Sequence, residues 1–288
     1  MKKYFLLLIV LLLVLSSGCT PKKEDKLIMG FVPMRDGDKL VDSVKPLTDL
    51  LAEELGLEVE GFTATNYVGV VEGLGSGAVD FGFIPPFAYV LANRESDAQV
   101  ILSALNKDLE AKYRSQFIVR KDSGIKSFQD LKGKIVAFVD ASSTSGYLFP
   151  GAHLIKEGLD IEKDIEYIYS GGHDKSLQLL LNGDIDVATT FVDVRERYAD
   201  EFPTAMDETE ILGYTDYIPN ISVTVSGKMD KEMQEKIQNA LINISKKEEG
   251  AALIKELFNM YGFEKASHED YEIIKTTAKT MNVDLEAQ

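Results

Sequence analysis

Short apolar runs and amphipathic stretches alternate along this chain, and partway along it the alternation begins again in the same order. Residues 27–32, 58–63, 80–84, 99–104 and 115–119 read as strands. Between the first four lie helical patterns: Leu47, Leu50, Leu51 and Leu55 share a face over 45–55, and Val70, Val71 and Leu74 share one over 67–74. A third helix, 87–94, follows the Pro85-Pro86 pair that ends the preceding strand. The second series runs strand 135–139, helix 146–157, strand 165–169, helix 174–181 and strand 187–191. Strands that alternate with helices pair in parallel only through crossovers, so the pattern restricts the chain to an α/β architecture with parallel or mixed sheets. A returning strand at 221–225 and a helical tail from 231 to about 281 complete the pattern. Two similar units, with the tail returning to the first, predict two lobes around a cleft. The glycines at 73, 75 and 77 follow a helix and precede a strand, the wrong context for a dinucleotide loop, so Gly75-Ser76-Gly77 is read as a helix stop. Asn182-Gly183 is its counterpart in the second unit.

The chain opens Met1-Lys2-Lys3, runs apolar from 4 to 15 and ends this stretch Leu15-Ser16-Ser17-Gly18-Cys19. A basic start and a short apolar core predict a signal peptide over 1–18, since a membrane span takes about 20 apolar residues. Small residues before the one cysteine resemble the bacterial signal for cleavage and lipid attachment, with Leu15 one place early and Ser16 where the leucine usually stands. Cys19 is therefore the expected lipidation site, 19–26 a lipidated tether, and the protein extracytoplasmic and lipid-anchored to the bacterial cell membrane. A single cysteine excludes an intrachain disulfide. Removing Lys2 and Lys3 leaves 31 − 2 = 29 basic residues against 47 acidic ones, a net charge of −18. A field of that sign excludes nucleic-acid binding by general attraction, and it requires that any anion site be built locally.

Such a site is written after the 135–139 strand. Ser142, Ser143, Thr144 and Ser145 precede Gly146 and a stretch that begins a helix. The unpaired N–H groups of a helix start, its dipole and four hydroxyls can hold an anion with no Arg or Lys in the motif. The same residues also suit an ordinary N-cap.

Further segments follow in order. Asn66-Tyr67 precedes the helix ending Gly73-Leu74. Asp80-Phe81-Gly82 leads into Pro86-Phe87-Ala88-Tyr89, and Tyr113-Arg114-Ser115 into Phe117-Ile118-Val119. Leu131-Lys132-Gly133-Lys134 opens the second unit, Phe149-Pro150-Gly151 follows the hydroxyl loop, and Gly172-His173-Asp174 precedes the helix ending Asn182-Gly183. In this order and spacing they resemble the phosphate/phosphite/phosphonate-binding proteins of ABC importers, over about 27–281. The resemblance implies an α/β, two-lobed type II periplasmic-binding-protein fold, each lobe a mixed sheet flanked by helices, with a hinge of two crossover segments. Lobe 1 is expected at 27–119 plus 222–288, lobe 2 at 120–221, and the hinge near 119–122 and 220–223.

The resemblance also implies that Ser143, Thr144 and Ser145 hold the phosphonate oxygens, that Tyr67 and Tyr113 close from the other lobe, and that His173 reaches the same oxygens. Read as structure alone, the tyrosines are half-buried core residues and His173 a cap. Asp193 falls where the family places an acidic residue. It would repel an anion unless it accepts a proton from a P–O–H group or pairs with a ligand amine; otherwise it is a surface or capping residue. Phe87, Tyr89, Gly146 and Asn220 are further candidates to line the cleft. Some aminoethylphosphonate binders carry a second carboxylate after the returning Ile-Pro. Here the segment reads Ile218-Pro219-Asn220-Ile221, which points to phosphate, phosphite or a small alkylphosphonate.

The expected function is a solute-binding lipoprotein that delivers phosphonate, phosphite or phosphate to the permease and ATPase of an ABC importer. It closes two lobes round the anion as a monomer, without catalytic residues, metal or cofactor. The rival readings are a receptor for another small anion or organic acid, and a metal-binding lipoprotein using His173, Asp174 and Asp193. A Ser143 or Ser145 triad with His173 and Asp193 lacks the Gly-x-Ser-x-Gly elbow.

Overall fold

The computed structural model describes residues 26–32, 37–283 and 285, with 37–42 as backbone only. The expected signal peptide, Cys19 and the tether up to residue 25 lie outside the described residues. In chain order the strands are β1 (Lys26–Phe31), β2 (Glu58–Thr63), β3 (Phe81–Ile84), β4 (Gln99–Ala104), β5 (Lys112–Arg120), β6 (Ile135–Phe138), β7 (Glu166–Tyr169), β8 (Val187–Phe191), β9 (Thr209–Pro219), β10 (Ser222–Val225) and β11 (Phe263–Lys265). They form a six-stranded sheet, β11-β4-β10-β3-β1-β2, and a five-stranded sheet, β7-β6-β8-β5-β9. Both are mixed. β1 runs parallel to β2 and β3, and β6 parallel to β7 and β8. β10 is antiparallel to β3 and β4, and β5 antiparallel to β8 and β9. The expected two-sheet α/β fold is the one observed.

The helices are α1 (Gly37–Leu55), α2 (Tyr67–Ser76), α3 (Pro86–Ser96), α4 (Phe149–Lys156), α5 (His173–Asn182), α6 (Val194–Arg197), α7 (Ala205–Glu208), α8 (Lys231–Lys246), α9 (Glu248–Phe258) and α10 (Glu272–Thr280). Their apolar stripes cover the sheets. Leu47 and Leu51 of α1 pack with Ile237 and Leu241 of α8 on Met29, Phe81 and Val223. Leu177 and Leu180 of α5 cover Ile118, Ala137 and Ala188 in the second sheet. Every residue of β3 is buried, as expected of a strand covered on both faces. The Asn66 side chain caps α2 by accepting from Gly69 N at 2.8 Å, and Gly77, at φ 90°, ends it. Gly183 ends α5 in the same left-handed conformation, φ 82°.

Three expectations are corrected. The lobe boundary expected at 119/120 falls at the end of β5, whose residues pair with β8 and β9, so 112–120 belong to the second sheet. The passages between the sheets are therefore 105–111 and 220–221, and the expected 119–122 segment falls at the end of β5 and not between the sheets. The helical tail is interrupted by β11, which adds to the edge of the first sheet beside β4. Finally, β9 is an eleven-residue strand where no strand was read. It pairs with β5 through two register shifts, which scramble the inward–outward alternation that a sequence pattern relies on.

The two passages are tied together. Asn220 N donates to the Ala111 carbonyl at 3.0 Å, and the Tyr271 hydroxyl, just before α10, donates to the Asn220 carbonyl at 3.2 Å. Beyond α10, the Met281 side chain fills the space beside Gly151 of α4.

Candidate functional site

A cavity of about 290 Å³ opens between the two sheets, at the passages, and takes its lining from both halves. On the second half its wall is the hydroxyl loop. Ser143 ends the β6 connection in extended conformation and accepts a hydrogen bond from Gly146 N at 3.1 Å. A π-helical turn, Thr144–Leu148, leads straight into α4. The helix expected from 146 thus begins with a wider turn. Ser115 Oγ lies 2.5 Å from the Ser145 carbonyl oxygen and 3.0 Å from that of Thr190. The Gly146 carbonyl accepts from Val139 N at 3.0 Å and from Thr189 Oγ1 at 2.8 Å. Gly146 itself packs rather than lines: a Cβ there would sit 2.5 Å from both Cβ and Cγ2 of Val139.

Ser143, Ser145, Tyr67, Tyr113, His173, Asp193 and Asn220 all line the cavity. Tyr67 is the first residue of α2, in the first half. Tyr113 lies on β5, so it faces the loop from its own half and not from across the cleft, which corrects the expectation. Burial pushes the Tyr67 phenol far above its ordinary range, against the pull of a hydrogen bond from Ser143. Burial likewise pushes Tyr113 up to about 12, opposed by hydrogen bonds from Ser145 and Thr144. Both phenols are therefore neutral donors at pH 7. Thr144 is buried behind the lining, and its Oγ1 accepts from Phe87 N at 2.8 Å, joining the loop to the start of α3 in the other half.

His173 is the first residue of α5. Its ring is buried against Phe191, centroids 4.8 Å apart, and its Nδ1 has no hydrogen-bond partner among the described residues. Burial draws its pKa down to about 3, so the imidazole is neutral. Asp193 takes a left-handed conformation, φ 67°, ahead of α6, and its side chain makes no capping bond. Its carboxylate is partly exposed and stands 4.0 Å from Lys107 Nζ. Asn220 Oδ1 accepts from Ile221 N at 2.8 Å.

Besides Thr144 and Gly146, two further candidates do not line the cavity. Phe87 and Tyr89 are buried on the core side of α3, where the Tyr89 hydroxyl lies 2.8 Å from His268 Nδ1 and its ring meets Tyr271 edge-on at 5.0 Å. Among the described residues no group of three or more His, Cys, Asp or Glu side chains could hold a metal ion, and His173, Asp174 and Asp193 do not form one. Other lining residues were not foreseen: Lys107, Phe31, Phe83, Phe258 and Arg197. Arg197 Nη2 donates at 2.5 Å to the carbonyl of Leu257 in the last turn of α9, so α6 of the second half grips the first half. No local pattern announces this contact, because α9 reaches the cleft only after the chain has returned from the second sheet.

Residues 29–271 match the family model described as ABC transporter, phosphonate, periplasmic substrate-binding protein. The phosphate-import protein PhnD of Mycolicibacterium smegmatis is 37% identical over 177 residues, 58% of this chain and 55% of that protein, so the match spans about half the length of that relative. The probable ABC transporter phosphite binding protein PhnD1 of Prochlorococcus marinus is 24% identical over 292 residues, 97% of this chain and 98% of that protein. The structure of PhnD1 from the same organism in complex with methylphosphonate has the same fold, with a TM-score of 0.82 at 22% identity over 91% of this chain and 100% of that one.

Proposed function

The chain belongs to the periplasmic substrate-binding proteins of phosphonate ABC transporters, and from that premise we propose that its cleft captures a small phosphorus oxyanion (phosphonate, phosphite or phosphate) for a permease and ATPase complex. Members of this family carry substrates and do not transform them, and we assign no catalytic residue. The observation that carries the reading is the buried Nδ1 of His173, which has no partner among the described residues. It belongs to a cavity whose other lining includes the neutral phenols of Tyr67 and Tyr113 and the hydroxyls of Ser143 and Ser145. These groups can all donate, and an oxyanion offers each an acceptor. A hydrogen bond to a charged group contributes about 1.5–3 kcal/mol. Four or five of them, set against the cost of drying the anion, are compatible with binding near −8 kcal/mol, about micromolar.

In this reading the halves 26–104 with 222–285 and 112–219 are lobes that close about the passages at 105–111 and 220–221. Residues 1–18 direct export, and a lipid on Cys19 with the tether 19–26 holds a monomer at the outer face of the cell membrane. Calorimetry with methylphosphonate, phosphite, phosphate, sulfate and citrate tests the ligand class. The Ser143→Ala/Ser145→Ala double variant is expected to bind phosphorus oxyanions at least tenfold more weakly, and to lose about 0.5–2 kcal/mol of stability without ligand because Ser143 Oγ no longer accepts from Gly146 N. Unchanged affinity in that variant, or wild-type binding to citrate alone, would overturn the reading.

A further inference from the structure

The lining of the cavity includes four cations, Lys107, Lys112, Arg114 and Arg197, and they are not equivalent. Lys112 Nζ lies 3.1 Å from Glu110 and 4.7 Å from the centre of the Tyr217 ring. Arg114 Nε donates to the Thr215 carbonyl at 2.8 Å, and its guanidinium lies 5.1 Å from the centres of both the Tyr214 and Tyr217 rings. Arg197 is engaged with the Leu257 carbonyl. Lys107 is the cation that meets Asp193.

The turn that carries Lys107 is braced by its neighbour Asn106. Asn106 Oδ1 accepts from the backbone N–H groups of Asp108 and Glu110, both at 2.9 Å, and Asn106 Nδ2 donates to the Lys112 carbonyl at 2.8 Å. The 105–111 passage is therefore a braced turn rather than a loose strap. Lys107 lines the cavity from this turn, within 4.0 Å of Asp193.

We propose that Lys107 is a specificity residue: it supplies the counter-charge of Asp193 from within the protein, so the cleft selects phosphorus oxyanions with an uncharged substituent and turns away aminoalkylphosphonates. The inference rests on the oxyanion reading above. A lone carboxylate at this place would attract the ammonium of such a ligand. With Lys107 in position the ammonium must either displace it or sit beside a like charge, and both disfavour binding. An aromatic part of the lining supports the same selection. Phe31, Phe83 and Phe258 form one aromatic cluster, with Phe31 stacked on Phe258 at 5.5 Å and Phe83 edge-on to Phe258 at 5.0 Å. All three line the cavity, and they give a short carbon chain an apolar surface to bury against.

Propylphosphonate and 2-aminoethylphosphonate are matched in length and differ in a terminal methyl against an ammonium. Calorimetry with the pair is the test, on wild type, Lys107→Met and Lys107→Met/Asp193→Asn. Wild type is expected to bind propylphosphonate at least tenfold more tightly than the amine. Lys107→Met releases Asp193 and is expected to move the ratio towards the amine at least tenfold, and the double variant to lose that gain. Both side chains are partly exposed, so neither change disturbs a core. Wild-type affinities within threefold of each other, or a ratio that Lys107→Met leaves unmoved, would overturn the role of Lys107 while leaving the oxyanion reading intact. If wild type binds neither these nor methylphosphonate nor phosphate, the oxyanion reading falls and this inference with it.

Discussion

His173 offers a measurement of the empty cleft in the currency of pH. Burial alone draws its pKa from 6.5 to about 3 in the folded protein. Between those values the unfolded chain holds a proton that the folded chain refuses. Stability is therefore complete above about pH 6.5 and falls as pH drops towards 3. At pH 5.0 the unfolded imidazole is about 97% protonated and the folded one about 1%, a penalty of about 2 kcal/mol; at pH 7.5 the penalty is under about 0.1 kcal/mol. His173→Gln removes the titration at similar volume. Between pH 7.5 and 5.0, without ligand, wild type is expected to lose about 2 kcal/mol more than the variant, roughly 4–8 °C of melting temperature for a protein of this size. The assay is thermal unfolding of both proteins across that range. Saturating methylphosphonate should shrink the difference, because an anion beside the ring favours the imidazolium. Parallel curves without ligand would refute the reasoning, since they would mean that His173 is not buried in the empty protein.

Other substitutions probe the supports of the site. Gly146→Ala places a methyl 2.5 Å from the branched Val139 side chain; overpacking of this kind should destabilise the empty protein by about 1–3 kcal/mol in a denaturant titration. Ser115→Ala takes a donor from the buried Ser145 carbonyl. It should cost about 1–3 kcal/mol of stability and weaken oxyanion binding in calorimetry, although Ser115 does not line the cavity. Arg197→Met removes the bond to the Leu257 carbonyl. Small-angle scattering should then show a larger radius of gyration for the empty protein, returning to the wild-type value with ligand; an unchanged empty curve would count against a gripping role.

The sheet strands that carry clean apolar runs were legible in the sequence. β2, β4 and β8 have the boundaries read from the pattern alone; the hydroxyl loop is legible as a strand-to-helix junction, whereas Tyr67 and His173 stand out only through the family resemblance. What was not legible depends on partners distant in the chain. β9 follows β5 through bulges, so Tyr214 and Tyr217 do not alternate in step with their neighbours. Tyr113 was placed in the wrong half because strand character is visible locally whereas sheet membership is decided by β8 and β9. Phe87 has the composition of a cleft residue and the address of a core one; the facing of α3 decides between them. Lys107 and Arg197 carry no motif at all. Their meaning comes from Asp193 and from the end of α9, which are 86 and 60 positions away along the chain.

The order of the strands also sets an order of assembly. All five strands of the second sheet come from one continuous stretch, 112–219, so that half has every hydrogen-bonding partner once residue 219 has been made. The first sheet does not. β10 lies between β3 and β4, and β11 covers the outer edge of β4, so residues 26–104 hold a sheet with its middle strand missing. As the chain is synthesised, or as it refolds, the amides of β5, β6 and β8 are expected to gain protection in pulse-labelled hydrogen exchange before those of β3 and β4, because long-range pairing waits on loop closure. Until residues 222–225 arrive, β3 and β4 each expose an unpaired edge, and that interval is when this protein is most open to mispairing with another chain.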